Sequence, residues 1–439
     1  IPGEPDDPLD RLIARTRPGY VKATKAVGRH FWKLFVVSAI IWLVALPLVM
    51  YRFHLFSPIA LALNTIIAIP ITLALLFGFG TLLCDFLIPP LAVPAAWVTD
   101  VSLWFTQTVV TGGAGLDNAF FYVAGPPLWW VLCFYGALAL AFMFPKWRFP
   151  RRWCIAAMLA WIAVGLVYPL FARGQIEVVD VEPQLRCTFV AVGHGSAVVL
   201  ELPDGRTLLY DAGQLGSPDS GAQAIAAYLW SRQITHLDAV VLSHADVDHY
   251  NAMPGLMERF SIGTVYVSPV MFEEDWGAVL ALQESIDAAD IPIQTIHAGD
   301  HLAGGEDVRI EVLHPTKDGV IGSDNANSVV LLIEFAGRRI LLPGDLEAGG
   351  LNDVMAEEPI DVDILMAPHH GSARSSPAGF AAWCRPEHVI ISGGQSFDAS
   401  AAIEAYHASG ARVLHTADAG AITVVLGSEQ VRIFSWIPH

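Results

Sequence analysis

The feature that most constrains this chain is the change in its apolar pattern at Phe171. Long apolar runs lie almost entirely before that residue, whereas the later sequence has short apolar runs separated by Gly, Pro and Asp. Spanning a bilayer takes ~20 mainly apolar residues. Of five apolar runs, the first, second, fourth and fifth reach or approach this length, and they cover residues 34–50, 58–79, 127–144 and 153–171. The third run, at 91–110, is weaker and could be re-entrant. The first part of the chain is therefore predicted to be a multi-pass α-helical membrane region.

Charge divides at nearly the same place. Residues 1–175 carry a net charge of +6 and residues 176–439 carry −24, which together give the −18 of the whole chain. This asymmetry indicates two bodies in different environments. We predict a basic juxtamembrane segment at 1–33, transmembrane helices within 34–175 and a separate domain at 176–439. Because the chain begins at Ile1 in a polar, proline-rich stretch, we expect it to be the C-terminal part of a longer protein.

Basic residues also predict an orientation, since Lys and Arg favour the cytoplasmic side of short loops. Seven of them lie within residues 11–33 and four within 146–152. Both basic segments lie on the cytoplasmic side only if the third run, which contains Asp100, crosses the membrane rather than forming a re-entrant segment. The fifth run then places residues 176–439 outside the cytoplasm.

A dense polar cluster follows a predicted strand at 237–243. His244, Asp246, Asp248 and His249 stand within six residues. Burying such groups without partners is costly, and a divalent cation would remove that cost. The alternative is a solvated loop without a ligand.

Two further polar groups also follow predicted strands. Asp345 comes after the strand at 339–342, and His369 and His370 follow the strand at 364–367. Ligands of α/β sheets converge at the carboxyl ends of strands. An Asp after Gly alone would indicate a turn, but the three sites in this order predict a metal centre.

The order H-x-D-x-D-H, G-D, H-H-G-S resembles the metallo-β-lactamase superfamily, and more closely the nuclease-like domain of ComEC-type DNA-internalisation competence proteins. The stretches that carry the resemblance are FVAVGHGSAVVLELPDGRTLLYDAG, ITHLDAVVLSHADVDH, NSVVLLIEFAGRRILLPGDLE, DILMAPHHGSARSS and, in the membrane part, YRFHLFSPIALALNTIIAIPI. The resemblance covers roughly residues 35–439 and implies an αββα metallo-β-lactamase fold for 176–439. It also implies a missing N-terminal part of the same protein.

The sequence departs from this family at two motifs. The family's usual DVGQGD is AVGHGS here, with Ala191, His194 and Ser196 at the changed positions. A late Gly-His-Pro is replaced by residues 398–400. His194 either takes over a polar role at the site or is a turn histidine.

The resemblance implies ligand roles residue by residue. His244 and Asp246 would hold a first metal, and Asp248 and His249 a second. Asp345 would bridge the two metals. Asp248, His249 and Asp345 are the residues that we expect to be catalytic.

Further positions have two interpretations each. His370 would complete the second site, with His369 as the alternative. Asn327 and His314 lie in the interval of the family's third histidine on the first metal, but either could be purely structural.

Two other residues lie near the motifs. Asp211 either holds ligand residues in position without binding a metal itself or is a turn residue. Arg374 is a candidate phosphate contact or a solvated arginine.

Three Asp and three His form an oxygen-rich ligand set, which favours two Mn²⁺ ions, with Zn²⁺ as the alternative. Two such cations promote hydrolysis at phosphorus by activating a water and stabilising the leaving oxygen.

The resemblance implies a DNA-uptake protein of the cytoplasmic (inner) membrane whose nuclease domain degrades one strand of incoming DNA. Its partners would be single- or double-stranded DNA, the lipid membrane and other DNA-uptake proteins. The charge of −24 opposes this, because nucleic-acid binders usually present basic surfaces. Two alternatives remain open: a membrane-tethered hydrolase of small phosphoesters, and a DNA-transport protein with an inert hydrolase domain.

Overall fold

The computed structural model describes residues 18–116, 118–144, 150–176, 183–273, 277–305, 307–428 and 430–437. The chain divides into two compact units, Ile1–Tyr168 and Pro169–His439. Most of the predicted juxtamembrane segment and the basic residues Lys146 and Arg148 lie outside the described residues, as do the first residues of the predicted second domain.

Each of the five apolar runs falls on a helix of the first unit or at its end. These helices are Gly19–Phe53, Ala60–Leu87, Pro89–Ala114, Leu128–Met143 and Arg151–Ile176. The second and third form an antiparallel hairpin, because only Ile88 separates them and Leu63 near the start of one meets Gly113 near the end of the other. A two-residue strand, β1 (Leu55–Phe56), pairs antiparallel with β2 (Phe121–Tyr122).

Two described helices are long and apolar enough to cross a membrane, Ala23–Phe53 and Ala60–Leu87. With 31 and 28 residues and a rise of ~1.5 Å per residue, both exceed the ~30 Å of a hydrocarbon core. The apolar helix Leu128–Met143 has 16 residues and is shorter, and the apolar stretch Arg152–Gly165 belongs to the 26-residue helix Arg151–Ile176. The helix at 89–114 contains polar side chains. With two candidate spans among the described residues, the predicted multi-pass region is not confirmed.

An eight-stranded sheet begins the second unit, with the order β17-β16-β3-β4-β5-β6-β7-β8. Its strands are β3 Leu185–Phe189, β4 Val198–Glu201, β5 Thr207–Tyr210, β6 His236–Leu242, β7 Ser261–Val267, β8 Ile293–Thr295, β16 Ile422–Leu426 and β17 Val431–Ser435. Strands β3 and β5 both run antiparallel to β4, and β6 runs parallel to β5. The loops after β3, β5 and β6 therefore lie at the same edge.

A seven-stranded sheet has the order β15-β14-β13-β12-β11-β10-β9. Its strands are β9 His301–Leu302, β10 Val308–His314, β11 Val330–Phe335, β12 Arg338–Leu342, β13 Ile364–Met366, β14 His388–Ile391 and β15 Arg412–His415. Strands β12 to β15 are parallel. The loops after β12, β13 and β14 consequently share one edge.

The two sheets face each other across one apolar core, in which Phe189 and Leu200 of the first sheet cluster with Ile333, Leu342 and Met366 of the second. Burying each such side chain contributes about 1.5–3 kcal/mol. The outer faces carry helices: Pro218–Ser231 lies on the first sheet, and Ala348–Ala356, Pro377–Cys384 and Ser400–Ala408 pack on the second. The arrangement is the αββα fold that the motifs predict.

The strands predicted at 237–243, 339–342 and 364–367 agree with the structure to within one residue. After β6, the chain forms two short helical pieces, Val247–Tyr250 and Met253–Met257. Pro254 lies at the start of the second piece, where proline is well tolerated, and it separates the two. The remaining short elements are Gly277–Ala288, Thr416–Ala419 and the 3₁₀ turns Asp324–Asn327, Pro368–Gly371 and Ala373–Ser375.

Candidate metal centre

Strand ends of both sheets carry the polar side chains of the motifs. Asp211 follows β5, His244 follows β6, Asp345 follows β12 and His370 follows β13. Two groups of His and Asp among the described residues could each hold a metal ion, and within each group the ligand atoms all lie within 4.8 Å of one another.

The first group consists of His244, His249 and Asp345, all buried. The Nε2 atom of His249 lies 3.2 Å from Oδ1 of Asp345, and the rings of the two histidines have centroids 4.2 Å apart. Nε2 of both histidines and Oδ1 of Asp345 have no hydrogen-bond partner among the described residues. Each such buried atom costs roughly 1–3 kcal/mol, and one divalent cation would satisfy all three. These residues therefore fit a metal ion.

The second group consists of His194, Asp248 and His370. Oδ2 of Asp248 lies 3.3 Å from Nε2 of His370 and 3.8 Å from Nε2 of His194. Asp345 lies between the groups: its Oδ1 faces His249, and its Oδ2 is 3.5 Å from Nε2 of His370. One carboxylate thus presents an oxygen to each group.

Hydrogen bonds determine which nitrogen of each histidine faces the site. Nδ1–H of His370 donates to the carbonyl of Ser392 at 2.7 Å, and Nδ1–H of His249 donates to Asp211 at 2.7 Å. The hydroxyl of Ser243 donates to Asp211 at 3.0 Å, so its oxygen accepts from Nδ1–H of His244 at 2.8 Å. All three histidines therefore direct an Nε2 lone pair into the site, as metal-binding histidines do.

The acidic side chains favour positive charge at the site. Burial alone would lower the pKa of His370, but Asp345 and Asp248 outweigh burial and raise that pKa. Burial alone would raise the pKa of Asp248, but the hydrogen bond with His370 and the positive charge that His249 carries when protonated lower that pKa to about 2. Either a proton or a metal ion could supply the positive charge that these carboxylates favour.

Two family models match successive parts of this chain. Residues 12–148 match the family model described as competence protein, and residues 190–378 match the metallo-β-lactamase superfamily. The chain joins a competence protein domain to a metallo-β-lactamase domain. The resemblance predicted from the motifs is confirmed, and so is the fold of the metallo-β-lactamase domain.

Curated proteins of two bacteria are similar to most of this two-domain chain. It is 28% identical over 374 residues to "ComE operon protein 3" of Bacillus subtilis, covering 83% of this chain and 47% of the relative. It is 25% identical over 349 residues to "Competence protein ComA" of Neisseria gonorrhoeae, covering 78% and 44%. The chain thus spans less than half the length of these curated relatives. A solved structure, Zn²⁺-bound PqqB from Methylobacterium extorquens, is 19% identical with a TM-score of 0.35, covering 51% of this chain and 85% of that one.

The motif residues form different ligand groups in the structure from those predicted from the sequence. Asp246 lies 3.5 Å from Nε2 of His244, but its side chain is 39% exposed and belongs to neither group. His249 was expected beside Asp248 and instead joins His244. The reason is that Asp248 and His249 are consecutive on the helical turn Val247–Tyr250, so their side chains point ~100° apart.

His369 lies next to the ligand groups without joining either. Its Nδ1 is 3.1 Å from Glu347, and its Nε2 is 3.8 Å from Oδ2 of Asp345. Glu347 was not singled out from the sequence, although it stands two residues after Asp345.

Three other candidates lie outside both groups. The amide of Asn327 donates to and accepts from the backbone of Val320, and so holds that loop. Nδ1–H of His314 donates to the carbonyl of Ser328. Arg374 is exposed.

Asp211 supports the site rather than serving only as a turn residue. It is buried in a left-handed conformation with φ of 60°. Its carboxylate accepts hydrogen bonds from His249, from the Ser243 hydroxyl and from the Ser243 amide. Ser243 and Ser392 were also not singled out from the sequence, although each stands directly after a strand.

Proposed function

We propose that this chain is a membrane protein of DNA uptake whose metallo-β-lactamase domain is a two-metal phosphodiesterase acting on DNA. The observation that carries the proposal is the pair of adjacent ligand groups with Asp345 between them. When bound, two divalent cations lower the pKa of a water and stabilise the charge that develops at a phosphodiester.

The chain's own residues prepare this site. Asp211, Ser243 and Ser392 orient the three buried histidines. The imidazole rings therefore need no reorientation to bind a metal ion. Asp345 faces both groups and fixes their separation. Burial of the first group keeps bulk water from competing with the ligand.

We propose Zn²⁺ as the favoured ion, in place of the Mn²⁺ that the sequence suggested. The sequence argument counted three Asp and three His, whereas the two groups contain four imidazoles and two carboxylates. Imidazole ligands suit zinc, and an oxygen-rich set suits manganese.

We propose that the first unit crosses the cytoplasmic membrane several times and leaves the metallo-β-lactamase domain outside the cytoplasm. Two helices have the length and apolar composition of spans. Their side chains are widely exposed, with Phe86 at 86%, and an apolar surface of this kind calls for an apolar environment. The orientation rests on the basic segments at 11–33 and 146–152.

A hydrolase of small phosphoesters is the second candidate, because the net charge of −24 on residues 176–439 disfavours DNA binding. The 439-residue chain in detergent should be tested with Zn²⁺ or Mn²⁺ on single-stranded DNA and on a small phosphodiester. We expect cleavage of DNA that is lost in His244→Ala. Cleavage of the small diester alone would favour the second candidate, and metal binding without hydrolysis of either would favour an inert domain.

A further inference from the structure

We propose that His194 is a metal ligand of the second group, so that Asp248, His370 and His194 together hold one cation through two imidazoles and one carboxylate. This inference rests on the proposed two-metal function and adds to it a ligand from the loop between β3 and β4.

Hydrogen bonds connect the loop that carries His194 to the segments that carry Asp248 and His370. The amide of Ser196 donates to the carbonyl of Asp248 at 3.1 Å. The hydroxyl of Ser392 donates to the carbonyl of Gly195 at 3.0 Å, and Ser392 is the residue whose own carbonyl orients His370. The positions of the three ligands are therefore coupled through hydrogen bonds.

Glycine permits this close fit. Gly193 and Gly195 have φ of +91° and +144°, conformations that L side chains rarely adopt. A Cβ at Gly195 would overlap the carbonyl oxygens of Gly213 and Asp248. The loop thus approaches the Asp248 backbone more closely than a loop with a side chain could.

The ring of His194 is held against the site. Its centroid lies 4.8 Å from that of His370 and 5.3 Å from that of Phe397, and its Nε2 is 3.8 Å from Oδ2 of Asp248. Its side chain is 24% exposed, whereas the first group is buried. The second group therefore has the ligand nearest to solvent.

With His194, each group provides two imidazoles and one carboxylate. Three protein ligands with a free fourth position are the pattern of catalytic zinc sites. Without His194, the second group would keep a single imidazole, and its affinity for zinc over harder ions would fall.

The test uses the 439-residue chain in detergent, stripped of metal by a chelator and titrated with Co²⁺ and Zn²⁺. We expect the unaltered chain to bind two ions. His194→Gln should bind one ion with unchanged affinity and the other about 10–100-fold more weakly, with a changed visible spectrum for the second Co²⁺. His407→Gln, which alters an exposed histidine outside both groups, is the matched control and should behave like the unaltered chain.

The outcomes separate this inference from the proposed function. If the unaltered chain binds no ion, the two-metal function fails. If the unaltered chain binds two ions and His194→Gln binds both with the same affinities as the unaltered chain, only the role of His194 fails.

A second variant, His194→Asp, tests the chemistry of the ligand rather than its presence. We expect it to keep the second ion while shifting that site's preference from Zn²⁺ toward Mn²⁺ by on the order of 10-fold, because a carboxylate is a harder ligand. An unchanged preference would contradict direct ligation.

Discussion

At the scale of single residues, Asp211 shows how a group without a ligand role can determine a site. Its carboxylate fixes the ring of His249 directly and that of His244 through Ser243. Both histidines of the first group thus depend on one buried carboxylate, which is held in a backbone conformation that Asp and Asn tolerate better than most residues.

We expect Asp211→Asn to bind zinc about 10–100-fold more weakly, because an amide cannot accept from His249 and Ser243 as a carboxylate does. Competition with a chromophoric chelator measures the change. Asp219→Asn, at an exposed position on helix Pro218–Ser231, is the matched control. Equal zinc affinity in the two variants would mean that Asp211 does not orient the histidines.

The residues of the two candidate ligand groups could be predicted more readily than the residues that orient them. His244, Asp248, His249, Asp345 and His370 were all singled out, because polar groups directly after apolar strands are a local signal. Which group His249 joins depends on the rotation of one helical turn. Supporting contacts such as Ser392 with His370 join residues on different strands, so that no local pattern reveals them.

At the scale of elements, the turn Val247–Tyr250 is held by the segment after β5. A Cβ on Gly213 would overlap the backbone of Asp248 and His249. We therefore expect Gly213→Ala to displace this turn, to weaken the binding of both metals and to lower the free energy of unfolding by about 1–3 kcal/mol. Metal titration and denaturant unfolding measure the two effects.

Gly277→Ala is the matched control for that variant, since a Cβ there meets open space among the described residues. Gly277 lies at the start of a helix, so the free energy of unfolding of Gly277→Ala should be unchanged or slightly raised. If Gly213→Ala behaved in the same way, the close approach would have no structural role.

The helix Pro218–Ser231 is attached to the first sheet by a polar contact. The hydroxyl of Tyr228 donates to Glu201 at 2.6 Å and lies 2.7 Å from that of Thr188. We expect Tyr228→Phe to lower the free energy of unfolding by about 1–3 kcal/mol, because it removes a hydrogen bond to a carboxylate, and to leave zinc affinity unchanged. Glu201 keeps its hydrogen bonds from Arg232, and Thr188 keeps its contact with Thr423. Tyr406→Phe is the contrast: the Tyr406 hydroxyl is buried with no partner among the described residues, so its removal should cost nothing. Equal losses in the two variants would contradict this account.

The regular elements could be predicted because periodicity and turn residues act locally. The strands that lead into the motifs were all predicted, and so was the αββα arrangement. Helices Ala348–Ala356 and Pro377–Cys384 were not, since each is short and contains helix-disfavouring glycine. The pairing of β16 with β3 joins residues more than 230 positions apart, which no local pattern can show.

At the scale of the whole molecule, the charge distribution leads to a prediction about orientation. Residues 1–175 carry +6 with their basic residues in short segments, and residues 176–439 carry −24. Because Lys and Arg resist translocation and Asp and Glu contribute little to orientation, the basic segments at 11–33 and 146–152 should remain in the cytoplasm. An odd number of crossings then follows between residue 33 and the metallo-β-lactamase domain.

Reporters fused after His439 test that orientation. We expect alkaline phosphatase, which folds only outside the cytoplasm, to be active, and green fluorescent protein exported by the same route to be dark. Replacing Lys146, Arg148, Arg151 and Arg152 by Gln should reduce phosphatase activity, because it removes the charges that retain this loop. Replacing Arg309, Arg338, Arg339 and Arg385 of the metallo-β-lactamase domain by Gln removes the same charge from positions that follow the last apolar run in the sequence, and it should leave the orientation unchanged. A fluorescent fusion of the unaltered chain would place the domain in the cytoplasm and overturn the parity argument, without affecting the geometry of the metal centre.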